Sequence, residues 1–237
     1  MTSCAEHAAQ AEPAAPAETA AQAERTIRAQ LDLYPAAIFD MDGTVMNSEI
    51  WHHQAWQQML KDFGLPALTT ADLYAYGGMP TLEIAKAVVK RFNSDADPQA
   101  MSVRKAELYR NEFIKHATVF PKIAALLKEL HSAGKRVAIA TSSHKFEATQ
   151  LLTQNGLMPY IDALVTGDLV TRGKPNPDIY LLAAERLNVA PQDCVVFEDT
   201  VIGMQGIKNA GMAAVKVFEG ELDCDHVITL AEPWPQA

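Results

Sequence analysis

The sequence predicts an α/β protein, a doubly wound parallel sheet with an all-helical block inserted after its first strand. Three observations carry that expectation. Short apolar runs, Ala36-Ala37-Ile38-Phe39, Arg136-Val137-Ala138-Ile139-Ala140 and Cys194-Val195-Val196-Phe197, read as strands buried on both faces, as a parallel sheet requires. After residue 118 such runs alternate with helical stretches, which implies right-handed crossovers. Between Val45 and Thr118 the patterns are helical and no strand pattern occurs.

Length and composition set the outer bounds. At 237 residues the chain is long enough for one full core, or for a core with a smaller second domain. Its net charge of -9 argues against nucleic-acid binding, which needs clustered Lys and Arg, yet a phosphorylated small molecule needs only local cations. No apolar stretch is long enough to span a membrane, and Glu6, Glu12, Glu18 and Glu24 interrupt any signal-peptide core. Cys4, Cys194 and Cys224 are widely spaced, so neither a disulfide framework nor a zinc site is expected, and a reducing cytoplasm is the expected compartment. The oligomeric state is unreadable, and a monomer is compatible with everything above.

Taken in order, residues 1–33 are rich in Ala, Glu and Gln, broken by Pro13 and Pro16, and are expected to be disordered with a helix from Glu18 to Leu31. The first strand follows Pro35. Asn47-Ser48-Glu49 offers a helix cap, after which Ile50, Trp51, Trp56, Met59, Leu60 and Phe63 recur at helical spacing as far as Gly64. Thr69 to Ala75, Thr81 to Phe92 and Pro98 to His116 read as three more amphipathic helices. Beyond Thr118, helices Ile123 to Ala133, Lys145 to Asn155, Asp178 to Leu187 and Val201 to Ala210 are separated by strands at 136–140, 163–165, 194–197, 213–217 and 226–228. Gly134, Gly156 and Gly211 supply helix stops.

Polar groups follow three of the buried runs at their C-terminal ends: Asp40 and Asp42, Thr141 and Ser142, Glu198 and Asp199, with Lys174 on the loop Gly173-Lys174-Pro175. In a parallel sheet those ends share one edge, where ligands bind. Two acids as close as Asp40 and Asp42 raise each other's pKa unless a cation intervenes, so the pair implies either a bound metal or a shared proton. Carboxylates suit a hard divalent cation, whereas hydroxyls and an ammonium suit phosphoryl oxygens. Singly, each member has an ordinary explanation: Asp42-Gly43 as a turn, Thr141-Ser142-Ser143 and Glu198-Asp199 as helix caps, Lys174 as a loop cation. Their joint occurrence in this order has none.

The run Asp40-Met41-Asp42-Gly43-Thr44, followed by Thr141-Ser142, Lys174 and Glu198-Asp199, resembles the haloacid dehalogenase-like superfamily of phosphatases and phosphotransferases over residues 35–220. The resemblance implies a Rossmann-like core from residues 34–46 and 118–237, a helical cap from residues 47–117 and a tail at residues 1–33. It implies Asp40 as the nucleophile that becomes an aspartyl phosphate and Asp42 as the general acid and base, with a pKa lifted toward the working pH. Mg2+ would be held by Asp40, Asp199 and the main-chain carbonyl of Asp42, with Glu198 in support or as an extra ligand. Thr141, Ser142 and Lys174 would bind the phosphoryl group.

His52-x-x-x-Trp56 and the loop Gly77-Gly78-Met79-Pro80-Thr81 are similar to the sugar-phosphate branch of that family, which contains beta-phosphoglucomutase and fructose-1-phosphate phosphatase. His52 and Gly78 are therefore substrate-binding candidates. Where the mutase carries Ser-Arg, this chain has Pro80-Thr81, which favours a phosphatase for a small sugar phosphate over a phosphomutase. Asn47 and Lys122 depart from family habit without touching this chemistry. Lys105, on the last of these helices, is a lesser candidate for a substrate contact, with a solvated helix face as its expected place. A non-enzymatic phospho-accepting module of receiver type is the rival from another class, opposed by the helical block and the Lys174 loop.

Overall fold

The computed structural model describes residues 25–228. Helix α1 (residues 25–31) and strand β1 (Ala36–Phe39) lead into a two-residue strand, β2 (Met46–Asn47). Four helices follow without a break: α2 (Glu49–Asp62), α3 (Thr70–Ala75), α4 (Thr81–Phe92) and α5 (Pro98–Leu108). The chain returns through β3 (Thr118–Val119) and then alternates: α6 (Pro121–Ser132), β4 (Arg136–Thr141), α7 (Lys145–Gln154), β5 (Ala163–Thr166), α8 (Asp178–Leu187), β6 (Cys194–Glu198), α9 (Val201–Ala210), β7 (Ala213–Phe218) and β8 (Glu221–Ile228).

The main sheet runs β5-β4-β1-β6-β7-β8, with β1 pairing in parallel to β4 on one side and β6 on the other. Ala36 is level with Arg136 and Cys194, and Phe39 with Ile139 and Phe197, so the three strands end at one edge. The Phe39 and Phe197 rings stack at 4.3 Å, worth about 0.5–1.5 kcal/mol beyond their burial. Alternation along the strands feeds two cores. Ala37, Phe39, Val137 and Ile139 face α6 and α7, whereas Ile38, Ala138, Ala140 and Val196 face Ile179, Ala183 and Leu187 of α8 and Ile207 of α9.

The fold matches the predicted class, and four details differ. The last strand is antiparallel to β7, joined by the two-residue turn Glu219-Gly220 with φ of 48° and 78°, the primed geometry that suits a twisted hairpin. The stretch read as strand-free contains β2, which pairs antiparallel with β3 and ties together the two segments that enter and leave the helical block. Two residues are too few for a period to register. The helix expected from Pro98 to His116 stops at Leu108, continues as a π turn over Tyr109–Phe113 and ends in a 3-10 turn over Ile114–His116. Lastly, residues 25–33 belong to the folded body: Ile27 and Leu31 are buried, Lys135 Nζ donates to the carbonyls of Leu31 and Tyr34, and Arg28 pairs with Glu129. The part of the expected Glu18–Leu31 helix before residue 25 lies outside the described residues.

Candidate active site

Because β1, β4 and β6 run parallel and in register, the residues at and just beyond their C-terminal ends meet. The Asp40 N–H continues the ladder, donating to the Phe197 carbonyl at 2.9 Å, and this fixes the first carboxylate beside Glu198. Lys174, buried on the loop before α8, points its ammonium between them, 2.5 Å from Asp40 Oδ1 and 2.7 Å from Glu198 Oε2. Burial pushes this ammonium toward neutrality, but the charges of Asp40 and Glu198 outweigh it and raise its pKa well above normal. Glu198 is filled on every side. Tyr180 Oη donates to Oε2 at 2.7 Å, and Thr200 donates its N–H and hydroxyl to Oε1 at 2.9 and 2.7 Å. Burial pushes the Glu198 carboxyl up, yet Lys174 and these donors bring it below its ordinary value.

Asp199 lies beside this pair, accepting the Thr44 hydroxyl at 2.8 Å. Gly43 passes so close that any Cβ would fall inside the Asp199 carboxylate, and its φ of +83° is one that glycine alone adopts freely. One oxygen each of Asp40, Glu198 and Asp199 lies within 4.8 Å of the others. Asp40 is raised well above the usual carboxylate range by burial and then by the charge of Glu198, and Asp199 is raised by the same two causes. Three carboxylates around one ammonium leave surplus negative charge in a buried place, and a divalent cation with oxygen ligands fits that deficit. With four donors already on Glu198, the free coordination capacity belongs to Asp40 and Asp199.

The Asp42 side chain turns away from this cluster, toward the helical block. Oδ1 accepts from the Ser48 hydroxyl at 2.6 Å and faces His52 Nε2 at 3.2 Å, while Oδ2 accepts from the hydroxyls of Ser143 at 2.7 Å and Thr141 at 3.2 Å. Burial pushes its carboxyl up, but the His52 contact and charge and the Ser48 and Ser143 hydroxyls override burial and hold it well below the usual range. The sequence-based expectation of a raised Asp42 is thus reversed. Acidic neighbours are present, but the donors are closer.

His52 in turn is held by groups that the sequence reading undervalued. Its ring stacks on Tyr109 at 3.8 Å and its Nδ1 lies 2.7 Å from Lys105 Nζ. Lys105 is only 5% exposed, so its expected place on a solvated face is wrong: it lies over Trp56 and Tyr109 inside the block, and burial pushes its pKa down to about 8. An ammonium has no lone pair to accept with, so a protonated Lys105 donates to Nδ1 and leaves the neutral ring's proton on Nε2, aimed at Asp42. Gly78, with φ of +82° and a Cβ direction blocked by the Thr200 hydroxyl at 2.8 Å, offers its carbonyl to the Ser142 hydroxyl at 2.9 Å. That contact joins the block to the sheet edge.

A cavity of about 100 Å3 lies between the two parts, lined by Asp40, Asp42, Thr141, Ser142 and Glu198 at the sheet and by His52, Gly78, Lys105 and Tyr109 above. Every candidate except Lys174 and Asp199 lines it, and those two touch Asp40 and Thr44 just behind. Ser48, Ser143, Tyr180 and Thr200 were missed as site members. Ser48 and the 141–143 run were read as helix caps, but neither caps with its side chain: Ser48 serves Asp42, and the N–H of Lys145 is taken by Asp168 instead. Thr200 is the true cap of α9, accepting from the Gly203 N–H at 3.0 Å, a role considered for Glu198-Asp199.

One edge thus holds a carboxylate paired with a buried ammonium, a second, hydrogen-bonded carboxylate two residues along and a third acidic group beside them. The chain belongs to the haloacid dehalogenase-like hydrolase family, whose model matches residues 37–217. It is 40% identical over 185 residues to the fructose-1-phosphate phosphatase YqaB of Escherichia coli K12, covering 78% of this chain and 96% of that one. A phosphorylated carbohydrates phosphatase of Thermotoga maritima is 34% identical, with 76% and 83% covered. Among solved structures, beta-phosphoglucomutase from Clostridium difficile superposes with a TM-score of 0.71 at 26% identity, covering 77% of this chain and 84% of that one. Among the described residues no helix is long and apolar enough to cross a membrane.

Proposed function

We propose that the chain is a Mg2+-dependent phosphatase that hydrolyses a small hexose phosphate of the fructose-1-phosphate kind through an aspartyl phosphate on Asp40. The observation that carries this is the pairing of the Asp40–Lys174–Glu198 cluster with an Asp42 that is hydrogen-bonded from both the sheet edge and the helical block. The identity to a fructose-1-phosphate phosphatase supports the substrate.

Asp40 Oδ attacks phosphorus while the bond to the sugar oxygen breaks, and the departing alkoxide takes a proton from the Asp42 side. Water then attacks the aspartyl phosphate and gives a proton back to Asp42, freeing Asp40 and inorganic phosphate. Because Asp42 rests as a carboxylate, it is ready for the second step. For the first, a proton on the His52–Asp42 contact at 3.2 Å has to be on the carboxyl side when the alkoxide forms. Lys174 holds Asp40 in place and meets the phosphoryl charge, and Thr141 and Ser142 border the same space. Asp40, Asp199 and the Asp42 main-chain carbonyl would hold Mg2+, with Glu198 positioning Lys174; the ion supplies charge stabilisation to phosphoryl oxygens. The helices of residues 47–117 act as the cap that excludes water. We assign the cytoplasm as compartment, in keeping with the buried free thiol of Cys194.

A second reading, a phosphomutase, draws on the structural likeness to beta-phosphoglucomutase and on Lys105, a cation at the cap side of the cavity. No arginine lines the cavity among the described residues, which disfavours a bisphosphate. The test is a phosphate-release screen over a panel of phosphometabolites, with Asp40→Asn in parallel. Free phosphate from hexose monophosphates, absent in the variant, is expected; dominant isomerisation of hexose 1-phosphate would replace the phosphatase reading by the mutase one.

A further inference from the structure

Three buried polar atoms of residues lining the cavity have no hydrogen-bond partner; one, His53 Nε2, faces the Glu49 carboxylate at 3.5 Å, which leaves two to account for. Glu147, on the first turn of α7, is 4% exposed; its Oε1 accepts from Arg110 Nε at 2.6 Å, but its Oε2 is sealed from solvent with no hydrogen bond. Tyr109, 1% exposed, lines the same cavity, and its Oη is also unpartnered. Buried polar atoms are nearly always satisfied, so two orphans lining one cavity mark places where something else makes the bond. The cation that compensates Glu147 is Arg110. Arg110 does not line the cavity, and its guanidinium lies over the Phe146 ring at 5.5 Å, so one carboxylate oxygen is neutralised by a residue outside the lining while the other is left without a partner.

We propose that Glu147 and Tyr109 form the specificity subsite for the non-reacting end of the substrate: Glu147 Oε2 accepts from a sugar hydroxyl and Tyr109 Oη bonds to a neighbouring one. This rests on the phosphatase reading and sharpens it. A carboxylate oxygen accepts and never donates, so it selects O–H groups and repels a second phosphate or a carboxylate. Glu49 lines the same cavity, adding to that repulsion, and Lys105 is already engaged with His52. The substrate class is thus a monophosphate whose far end is neutral and hydroxylated. α7 belongs to the sheet side and Tyr109 to the helical block, so the sugar would be gripped only when the two meet.

The experiment compares a hexose monophosphate, the matching hexose bisphosphate and p-nitrophenyl phosphate, which has no hydroxyl, in wild type, Glu147→Gln and Tyr109→Phe. The ratio of kcat/KM for the hexose monophosphate over that for the aryl ester is expected to fall about tenfold in each variant, as for a lost hydrogen bond to a buried group, mainly through KM. In Glu147→Gln the discrimination against the bisphosphate should also relax. An unchanged ratio in both variants overturns the proposal, whereas a wild type that releases phosphate from none of the three overturns the phosphatase reading instead. If Glu147→Gln does not fold, Tyr109→Phe, which keeps the ring on His52, decides.

Discussion

The Lys174 ammonium lies 2.5 Å from one oxygen of Asp40, although 134 residues separate them, and neither group has appreciable solvent around it. The same ammonium serves Glu198, so one cation compensates two buried carboxylates. Removing it leaves both without a counter-charge, which costs about 3–5 kcal/mol in comparable buried pairs. Lys174→Met, close in length and uncharged, is expected to lower the melting temperature by about 10 °C and to reduce phosphate release more than about 100-fold. Thermal unfolding and a phosphate assay on one preparation measure both. An unchanged melting temperature would show that the ammonium does not compensate these carboxylates.

Asp40 and Asp42 are neighbours in sequence but face different surroundings, and their variants should fail differently. Asp40→Asn removes the nucleophile, and neither phosphoenzyme nor turnover is expected. In Asp42→Asn the four donors stay but the proton carrier is gone, so the phosphoenzyme should form slowly and persist. Mass spectrometry of quenched samples separates the two. A persistent phosphoryl adduct in Asp40→Asn would assign the nucleophile elsewhere.

Lys105 gives stability and activity opposite dependence on pH. Its pKa is pushed by burial from 10.5 to about 8 in the folded state, so between those values the unfolded chain binds more protons than the folded one. Stability therefore rises with pH across that window, by up to about 3 kcal/mol from this group, and the burdened state is the one below pH 8. Turnover should fall over the same range as Lys105 stops donating to His52 Nδ1. Denaturant unfolding and kcat at pH 7 and 10 test this, and Lys105→Met should flatten the stability difference. A wild-type stability that falls from pH 8 to 10 by as much as that of Lys105→Met would remove the argument.

Most of the sheet edge was legible in the sequence because parallel strands end together: Asp40, Thr141 and Glu198 each follow a buried apolar run, and register does the rest. The helical side was harder to read. Lys105 is one charged residue among many on its helix, and nothing in a 3.6-residue period distinguishes a lysine turned onto a buried histidine from one in water. Tyr109 falls where the helix widens into a π turn, which shifts the face on which later residues fall. Ser48 and Ser143 occupy cap-like positions, and cap propensity is the stronger local signal. Their real partner, Asp42, is set by how the helical block sits on the sheet, which is a tertiary fact.

Magnesium should bind where negative charge is in excess. Asp40 and Asp199 are held up by burial and by Glu198, and Lys174 is the one cation touching the Asp40–Glu198 pair among the described residues. An ion that binds only the folded chain stabilises it by about 2.7 kcal/mol at a hundredfold excess over its dissociation constant. For a chain of this size that amounts to about 5–10 °C in melting temperature. Chelator should abolish phosphate release and remove this gain, and added Mg2+ should restore both. Asp199→Asn keeps the shape and the Thr44 contact while removing one ligand charge, so its melting temperature should respond far less to Mg2+. A wild type indifferent to chelator, in both unfolding and turnover, would mean that the acidic cluster works with Lys174 alone.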